Sequence, residues 1–337
     1  MRDSAYSLRT TTAAISRCWQ TFFHAPCDAR VAALVRIGFA VVVLADLAVF
    51  YPDRQQWFTD QGVLTAETSR LLASPYAWSL LWWLPSTPAV TDCVFAVAFA
   101  SAVLLLVGLL PRVNAACLFV VLYSLEMRNA IIFDSQDTVI RLLALCLIWI
   151  PSGRCWSLQA WLVNSMRLRP LPGPFPEGEG GCSVPGWGLR LIQIQIAMVF
   201  FSTALVKLSG KEWIDGTALY YVSRLDDFFG RFPVPAWLFD TPWTVALMTW
   251  AVITVELTVP VFIWFRDTRR WCLVATLLFH LANEWTMHLF LFHWIMLVGW
   301  LSFLTSDDLV WLRRFVGRPF QAVLSARKGR PTSHESS

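Results

Sequence analysis

Charged residues are scarce in this chain. Asp, Glu, Lys and Arg make up 15% of the 337 residues, whereas 56% are hydrophobic and the mean hydropathy is +0.54. Soluble domains carry roughly a quarter of charged residues, and no single core of this length would use so many Leu, Val, Phe and Trp side chains. The scarcity of charge therefore excludes a soluble globular domain. It indicates an all-α, polytopic integral membrane helix bundle.

Several motifs of soluble enzymes are also absent. The sequence contains no Walker loop, no dinucleotide fingerprint, no G-x-S-x-G element and no C-x-x-C pair. It also has no basic groove pattern interleaved with aromatic residues, so nucleic acid is not an expected partner. The partner that the composition predicts is the lipid bilayer, and the sequence specifies no protein partner.

Eight apolar runs are predicted to cross the bilayer as helices, because each approaches the roughly 20 residues that span hydrocarbon. They lie at about 31–50, 89–110, 113–132, 137–151, 187–208 and 243–265, with two more in the run from Trp271 to Thr305. That final run is too long for one span, so we predict two short helices that meet near residues 285–289. The transmembrane domain is expected at 31–305, between basic tails at 1–30 and 306–337.

Two longer loops interrupt this domain. Residues 51–88 are rich in Pro, Gly, Asp and Arg, and an aromatic stretch near 76–84 predicts a short interfacial helix. Residues 152–186 are the most polar and most Pro- and Gly-rich part of the chain, which predicts a flexible connector. Both loops are expected to belong to the transmembrane domain.

Lysine and arginine are distributed unevenly between the two sets of predicted loops. The two tails and the connector are rich in arginine, whereas the opposite side keeps only Arg54, Arg70, Lys211, Arg224 and Arg231. The positive-inside rule then predicts a multi-pass protein of the bacterial inner (plasma) membrane with both termini in the cytoplasm. No cysteine falls in a predicted outer loop, so the protein needs no disulfide in an oxidising compartment.

Lys207 ends the fifth predicted span, and the chain then turns through Gly210, Trp213 and Gly216. A lysine at the edge of hydrocarbon costs a few kcal/mol unless it reaches water or pairs with an anion, so it is a candidate functional residue. Two roles are open: a structural anchor that extends toward the membrane surface, or a catalytic base that aromatic packing keeps neutral. Gln193 lies fourteen residues earlier, on nearly the same helical face.

Two further groups of polar residues lie within the apolar runs. His280, Glu284 and His288 follow one another at intervals of four, so one helical face could present metal ligands, or His280 and Glu284 could bond to each other. The predicted helix break disfavours the first reading, and we predict no metal site. The second group would pair internally, line a substrate cavity or form an ion path; it comprises Arg36, Asp46, Glu126, Arg128, Asn129, Asp137, Arg141 and Glu256. No internal repeat of the transporter kind accompanies it.

Several stretches of the sequence together resemble a known family. They are RIGFAVVVLADLAVFYPD, WFTDQGVL, RNAIIFDSQDTVIRLL, QIQIAMVFFSTALVKLSGKEWIDGTALYY and LLFHLANEWTMHLFLFHW, with Glu256 between the last two. Their order resembles that of the HTTM (horizontally transferred transmembrane) proteins, whose domain is shared with vitamin K-dependent gamma-carboxylase. The K-L-x-G-x-x-W-x-x-G element that begins at Lys207 is the most specific of them, and the resemblance covers residues 31–305.

The resemblance implies a multi-helix membrane domain in which Lys207 faces outward and acts as the base toward a quinol. In the carboxylases that quinol is vitamin K hydroquinone, whose oxygenation yields a strong base that removes a proton from a substrate glutamate before carbon dioxide adds. By the same resemblance, His280 of the LLFH element is a second catalytic contact. We expect a polar cavity around these two residues, lined by Arg128, Asn129, Asp137, Gln193, Trp213, Gly216, Glu256 and Asn283.

The sequence departs from the carboxylases at three points. First, one lysine, Lys207, replaces two adjacent lysines, and one extra residue precedes Trp213. Second, Gln136 and Asp137 stand where a carboxylase histidine would be. Third, only residues 306–337 follow the last predicted span, where the carboxylases continue into a lumenal region. We therefore predict an outward-facing cavity that binds a quinol-like or lipid substrate, with any enzyme activity being carboxylase-like. The alternative is a non-enzymatic membrane partner, such as an immunity, assembly or maturation factor, and a transporter ranks third.

Overall fold

The computed structural model describes residues 16–165 and 183–311. Residues 1–15 and 312–337 of the two predicted tails and residues 166–182 of the predicted connector lie outside the described residues. Almost all of the regular structure is helical, which confirms the predicted all-α class. Within the two described ranges, four helices are long and apolar enough to cross a membrane, and they are Ala29–Phe50, Pro88–Val107, Trp187–Leu208 and Pro242–Phe262. The chain is a membrane-embedded helical protein.

The helices are numbered in chain order. They are α1 (Ala29–Phe50), α2 (Arg54–Phe58), α3 (Ala66–Leu72), α4 (Pro88–Val107), α5 (Pro111–Arg128), α6 (Ser135–Trp149), α7 (Leu158–Ser165), α8 (Trp187–Leu208), α9 (Lys211–Ile214), α10 (Ala218–Val222), α11 (Trp237–Asp240), α12 (Pro242–Phe262), α13 (Arg266–Thr286) and α14 (Phe292–Trp300). In the predicted interfacial stretch, a 3₁₀ turn occupies Leu80–Trp82. The other four predicted spans coincide with α5, α6, α13 and α14, and the count of eight crossings stays a prediction.

A short antiparallel pairing of two strands accompanies the helices and was not predicted. Strand β1 (Pro26–Asp28) pairs with strand β2 (Ser183–Pro185), with Cys27 opposite Val184. The pairing brings the segment before α1 next to the segment before α8, where Arg190 Nε donates a hydrogen bond to a backbone carbonyl of the N-terminal segment at 3.1 Å. The two strands therefore set the start of α8 relative to α1.

Capping residues explain where several helices begin and end. Asp28 caps α1 by accepting a hydrogen bond from the second helical N–H at 2.8 Å. Thr87 caps α4, and Pro88 occupies the first turn, where a missing N–H is tolerated. α4 ends at Gly108, whose φ of 73° lies in the left-handed region that glycine adopts freely. These signals agree with the predicted boundaries to within a few residues.

Within the described residues, the core of the bundle is formed by six helices, of which α1 and α8 are the central two. α1 packs against α4, α6 and α14, while α8 packs against α6, α12 and α14. Small residues permit close approach, since a Cβ atom added at Gly38 would lie 2.8 Å from Val298 and one at Gly299 would lie 2.4 Å from Ile196. Many large apolar side chains are exposed on the outer faces of these helices, as expected of a surface that contacts lipid.

Polar residues inside the helices bond to the backbone or to one another. Arg36 is fully buried and donates to two carbonyl groups of the connector at 2.7 and 2.6 Å, so its guanidinium is used there rather than by Asp46 on the same helix. Arg141 pairs with Glu126 at 2.6 Å and not with Asp137 one turn away. Asp137 instead completes a capping box at the start of α6.

The last apolar run is divided into α13 and α14, which confirms the predicted break. A loop before α12 satisfies backbone groups that the break frees. His288 N donates to Phe228 O at 2.8 Å, and Gly230 N donates to Thr286 O at 2.9 Å. The local sequence of the break contains no glycine or proline, and the backbone partners come from a distant loop.

The chain divides into two compact units after Phe303, the last residue of a 3₁₀ turn (Leu301–Phe303). The first unit contains the bundle. In the described part of the second unit, residues 306–311 are helical. Thr305 precedes this helix and bonds reciprocally with Asp308: Thr305 N donates to Asp308 Oδ2 at 3.0 Å, and Asp308 N donates to Thr305 Oγ1 at 3.4 Å.

Candidate functional site

Lys207 and Glu256 form an ion pair between α8 and α12. Lys207 Nζ donates a hydrogen bond to Glu256 Oε1. The side chain of Glu256 is 5% exposed and that of Lys207 is 24% exposed, so the carboxylate is enclosed while part of the lysine stays reachable. Charged groups persist inside membrane proteins when they are paired in this way. The fold thus joins two predicted site residues that are 49 positions apart in the sequence.

A segment that we call the cap, residues 209–222, follows Lys207 and packs along α12. Trp250 Nε1 donates to Ile214 O at 3.2 Å, and Leu219 N donates to Thr249 Oγ1 at 3.3 Å. Lys207 contacts Glu256, and the later residues Ile214 and Leu219 contact Trp250 and Thr249, which lie nearer the start of α12. α12 therefore extends beyond the end of α8, and the cap covers its extra length. The ion pair lies where the cap begins.

Trp213 and Gly216 explain the spacing of the K-L-x-G-x-x-W-x-x-G element. The Lys207 ammonium lies 5.1 Å from the centroid of the Trp213 ring, within the range of a cation–π interaction. Gly216 has a φ of 75°, and a Cβ atom there would lie 3.1 Å from both Ala246 and Trp250. Glycine meets both demands, since it adopts a left-handed conformation freely and has no side chain. The spacing of the element therefore places Trp213 against the Lys207 ammonium and lets the cap pack closely on α12 at Gly216.

The other carboxylate oxygen of Glu256 is the least satisfied atom of this site. Oε2 is buried and accepts no hydrogen bond from any residue that the structure describes. An unsatisfied buried acceptor costs about 1–3 kcal/mol. Lys207 Nζ carries three N–H donors, of which Oε1 takes one. The pair therefore presents an ammonium donor beside a carboxylate acceptor, and a hydroxyl group can bond to both because it donates and accepts.

His280 and His293 form a second buried polar pair, between α13 and α14. Their Nδ1 atoms are 3.1 Å apart, and their ring centroids are 5.4 Å apart. The ring centroids are farther apart than the two Nδ1 atoms by about one ring radius on each side. The rings therefore meet at their Nδ1 atoms and do not stack face to face. When both rings are neutral, one Nδ1 donates and the other accepts, so the two tautomers differ. Both Nε2 atoms point away from the shared bond, and neither has a partner in the described chain.

Phe200 on α8 contacts this histidine pair. Its ring centroid lies 5.5 Å from that of His280 and 4.9 Å from that of Trp300. Phe200 precedes Lys207 by seven residues, which is two helical turns or about 10 Å along the axis. The two predicted catalytic residues, Lys207 and His280, are therefore associated with the same helix at different levels, and their joint role stays a prediction.

The predicted metal-ligand pattern on α13 does not converge. His280 bonds to His293, Glu284 pairs with Arg231, and His288 is exposed beyond the end of the helix. The alternative bond between His280 and Glu284 does not form either; each side chain uses one atom for this other partner, and His280 Nε2 and Glu284 Oε2 have none in the described residues. Within residues 16–165 and 183–311, no three His, Cys, Asp or Glu side chains are grouped to hold a metal ion.

The remaining predicted cavity residues have partners of their own. In chain order, Arg128 donates to Leu64 O and Asp60 Oδ1, Asn129 donates to Trp57 O, Asp137 accepts from Asp134 N, Gln193 donates to Ser302 O, and Asn283 donates to Phe279 O. Gln193 is fourteen residues from Lys207, about 21 Å along α8. The structure brings Trp213 and Glu256 to Lys207, with Gly216 in the cap beside them, and does not bring Gln193 there. One cavity shared by all of these residues stays a prediction.

Two residues at the second polar pair were not predicted to be site residues. His293 bonds to His280 across the break between α13 and α14, and Trp300 Nε1 is buried without a partner in the described residues. Both lie in the apolar run LFLFHWIMLVGW, where an isolated polar group does not by itself indicate a functional site. The sequence signal for His293 is its position thirteen residues after His280, on the far side of the predicted break.

Comparison with known proteins agrees with this architecture. Residues 24–308, which form most of the chain, match the HTTM domain. A curated relative, "Uncharacterized protein YitO" of Bacillus subtilis (strain 168), is 26% identical over 185 residues, which are 53% of this chain and 55% of the relative. The matched part thus spans about half the length of that relative, and no solved structure matches the chain. From the extent of the domain match, the chain belongs to the HTTM domain family.

Proposed function

We propose that this HTTM protein binds a neutral, lipid-soluble molecule that carries a hydroxyl group, either a quinol-like compound or a lipid, at the Lys207–Glu256 pair. The observation that carries the proposal is Glu256 Oε2, a buried acceptor with no donor in the described chain. A ligand hydroxyl that donates to Oε2 would remove the cost of this unsatisfied atom, about 1–3 kcal/mol. The residues present therefore suit a quinol.

The charge balance of the pair favours a neutral ligand over an anionic one. The ammonium and the carboxylate cancel each other, and both lie where the effective dielectric constant is low. An anionic headgroup would compete with Glu256 for Lys207 and leave a buried carboxylate without compensation. A hydroxyl group adds two hydrogen bonds and no net charge.

The surface next to Lys207 indicates how such a ligand would arrive. Leu205, Val206 and Leu208 are exposed, apolar and adjacent to the lysine on α8. In a membrane-spanning helix, side chains of this kind face lipid. A lipid-soluble ligand would therefore reach the partly exposed lysine from the bilayer.

The pair would also supply carboxylase-like base chemistry, the activity that the family resemblance implies. A proton from the ligand hydroxyl would pass to the pair, while the cap keeps bulk water from the carboxylate. A bound quinol would supply the oxidisable ring. The setting that we propose for this chemistry is the bacterial inner membrane, with both termini in the cytoplasm and the pair on the outer side.

This proposal predicts that the double variant Lys207→Met/Glu256→Met purifies without a hydroxyl compound that the wild type retains. Solvent extraction and mass spectrometry of the purified proteins, normalised to phospholipid, would measure the loss. We expect a decrease of about tenfold or more, which corresponds to ~1.4 kcal/mol of binding free energy. Lys211→Met is the matched control because it removes an exposed lysine of the cap and should change nothing.

The same experiment separates this function from a non-enzymatic partner role. In that alternative, the ion pair only holds α8 against α12. The wild type would then release phospholipid alone, and the double variant would still bind its protein partner. That pair of results would contradict the proposed ligand.

A further inference from the structure

We infer that Glu256 Oε2, and not Lys207 Nζ, takes the proton of the bound hydroxyl group, while Lys207 stays an ammonium and stabilises the oxygen anion that results. The inference rests on the proposed function and deepens it. It differs from the role that the family resemblance implies for Lys207. Three features of the described residues support it.

The first feature is that both neighbours of Lys207 Nζ favour its charged form. Nζ donates to the Glu256 carboxylate and lies against the face of the Trp213 ring. An adjacent anion and an aromatic face each stabilise an ammonium and neither stabilises an amine. A lysine that serves as a base must first give up a proton, and here that step would sacrifice both interactions.

The second feature is that Glu256 has a free oxygen atom and Lys207 has no free lone pair. Oε1 is occupied by the ammonium, whereas Oε2 is buried and available. A carboxylate oxygen that lacks a donor is the natural acceptor for a hydroxyl proton. Lys207 Nζ, by contrast, can only donate to the ligand oxygen.

The third feature is the charge balance of the transfer. The O–H bond of the ligand breaks, its electron pair stays on the ligand oxygen, and an O–H bond forms at Oε2. The site holds one positive and one negative charge before the step and again after it, so no oxidant, reductant or further ion is needed. The negative charge moves only from the carboxylate to an oxygen beside the same ammonium, so the attraction to Lys207 is kept.

A coloured phenol tests this assignment without any turnover assay. The probe is 4-nitrophenol with an alkyl tail, whose phenolate absorbs at longer wavelength than its neutral form. It is added to purified protein in detergent at a pH where the free probe stays neutral. We expect wild-type protein to produce the phenolate band, Glu256→Gln to lose it, and Lys207→Arg to keep it, because arginine is always protonated and cannot act as a base.

Infrared difference spectroscopy of the wild type gives a second readout that needs no folded variant. Binding of the probe should reduce carboxylate absorption and produce a protonated carboxyl band. A phenolate band without that carboxyl band, or a phenolate band that survives in Glu256→Gln and vanishes in Lys207→Arg, would overturn the inference and leave the proposed function standing. If both variants lose the band, the infrared result decides. Failure of wild-type protein to bind the probe would overturn the proposed function itself.

Discussion

Replacing Lys207 alone by methionine is expected to lower the free energy of unfolding by about 3 kcal/mol. The variant would leave Glu256, whose side chain is 5% exposed, without its counter-charge. Glu256→Met alone should cost less, about 1–2 kcal/mol, because Lys207 is 24% exposed and can extend its ammonium toward a polar environment. Replacing both residues by methionine should return stability close to that of the wild type, since a buried ion pair can often be exchanged for apolar residues.

Unfolding in mixed micelles titrated with a denaturing detergent, followed by circular dichroism, would measure these four states. For two residues in contact, the loss of unfolding free energy in the double variant differs from the sum of the two single losses. The size of that difference measures the energetic coupling between the residues. Lys211→Met, an exposed change in the cap, should stay within about 0.5 kcal/mol of the wild type. If the double variant loses the sum of the two single costs, the ion pair does not exist in the folded protein.

Replacing Arg128 by methionine is expected to cost about 3–4 kcal/mol and to release the loop at residues 51–88. Arg128 is fully buried and donates to Leu64 O at 2.8 Å, to Asp60 Oδ1 at 3.0 Å and to Ser86 Oγ at 3.4 Å. These partners all lie in that loop, so one guanidinium fastens it to the end of α5. Lysine at this position should recover only part of the loss, because it lacks the planar fork of donors.

Trypsin digestion of the detergent-solubilised protein would report on the loop directly. In Arg128→Met, cleavage after Arg54 and Arg70 should become much faster than in the wild type, whereas sites elsewhere keep their rates. The matched control for stability is Arg70→Met, which removes an exposed arginine of the same loop. An unchanged cleavage rate in Arg128→Met would show that other contacts hold the loop.

The membrane class and the helix positions follow from the sequence because they depend on properties that neighbouring residues share. Long apolar runs and capping residues such as Thr87 and Gly108 act locally, and the structure places helices where those signals predict them. Lys207 also stands out locally, because a charge at the end of an apolar run needs an explanation. Its partner Glu256 was recognised as one of eight buried polar residues, but the pairing itself was not.

Features that depend on distant contacts could not be predicted. The tie between α13 and the loop at residues 228–232 combines backbone hydrogen bonds, which leave no side-chain pattern in the sequence, with the ion pair between Arg231 and Glu284. The partner of Arg36 likewise proved to be a pair of connector carbonyls, whereas the sequence suggested pairing within the group of polar residues that lie in the apolar runs. His293 meets His280 only after the chain has turned back. For Arg36 and His280, the side chain was visible in the sequence and its partner was not.

The most direct test of a hydroxyl ligand at the Lys207–Glu256 pair is photolabelling with a long-chain hydroquinone that carries a diazirine, followed by peptide mapping. We expect labelled peptides from α8 and α12 around these two residues, with labelling that unlabelled hydroquinone suppresses and that Lys207→Met/Glu256→Met abolishes. Labelling spread over the lipid-facing helices, unaffected by competitor and equal in the double variant, would contradict the proposed site.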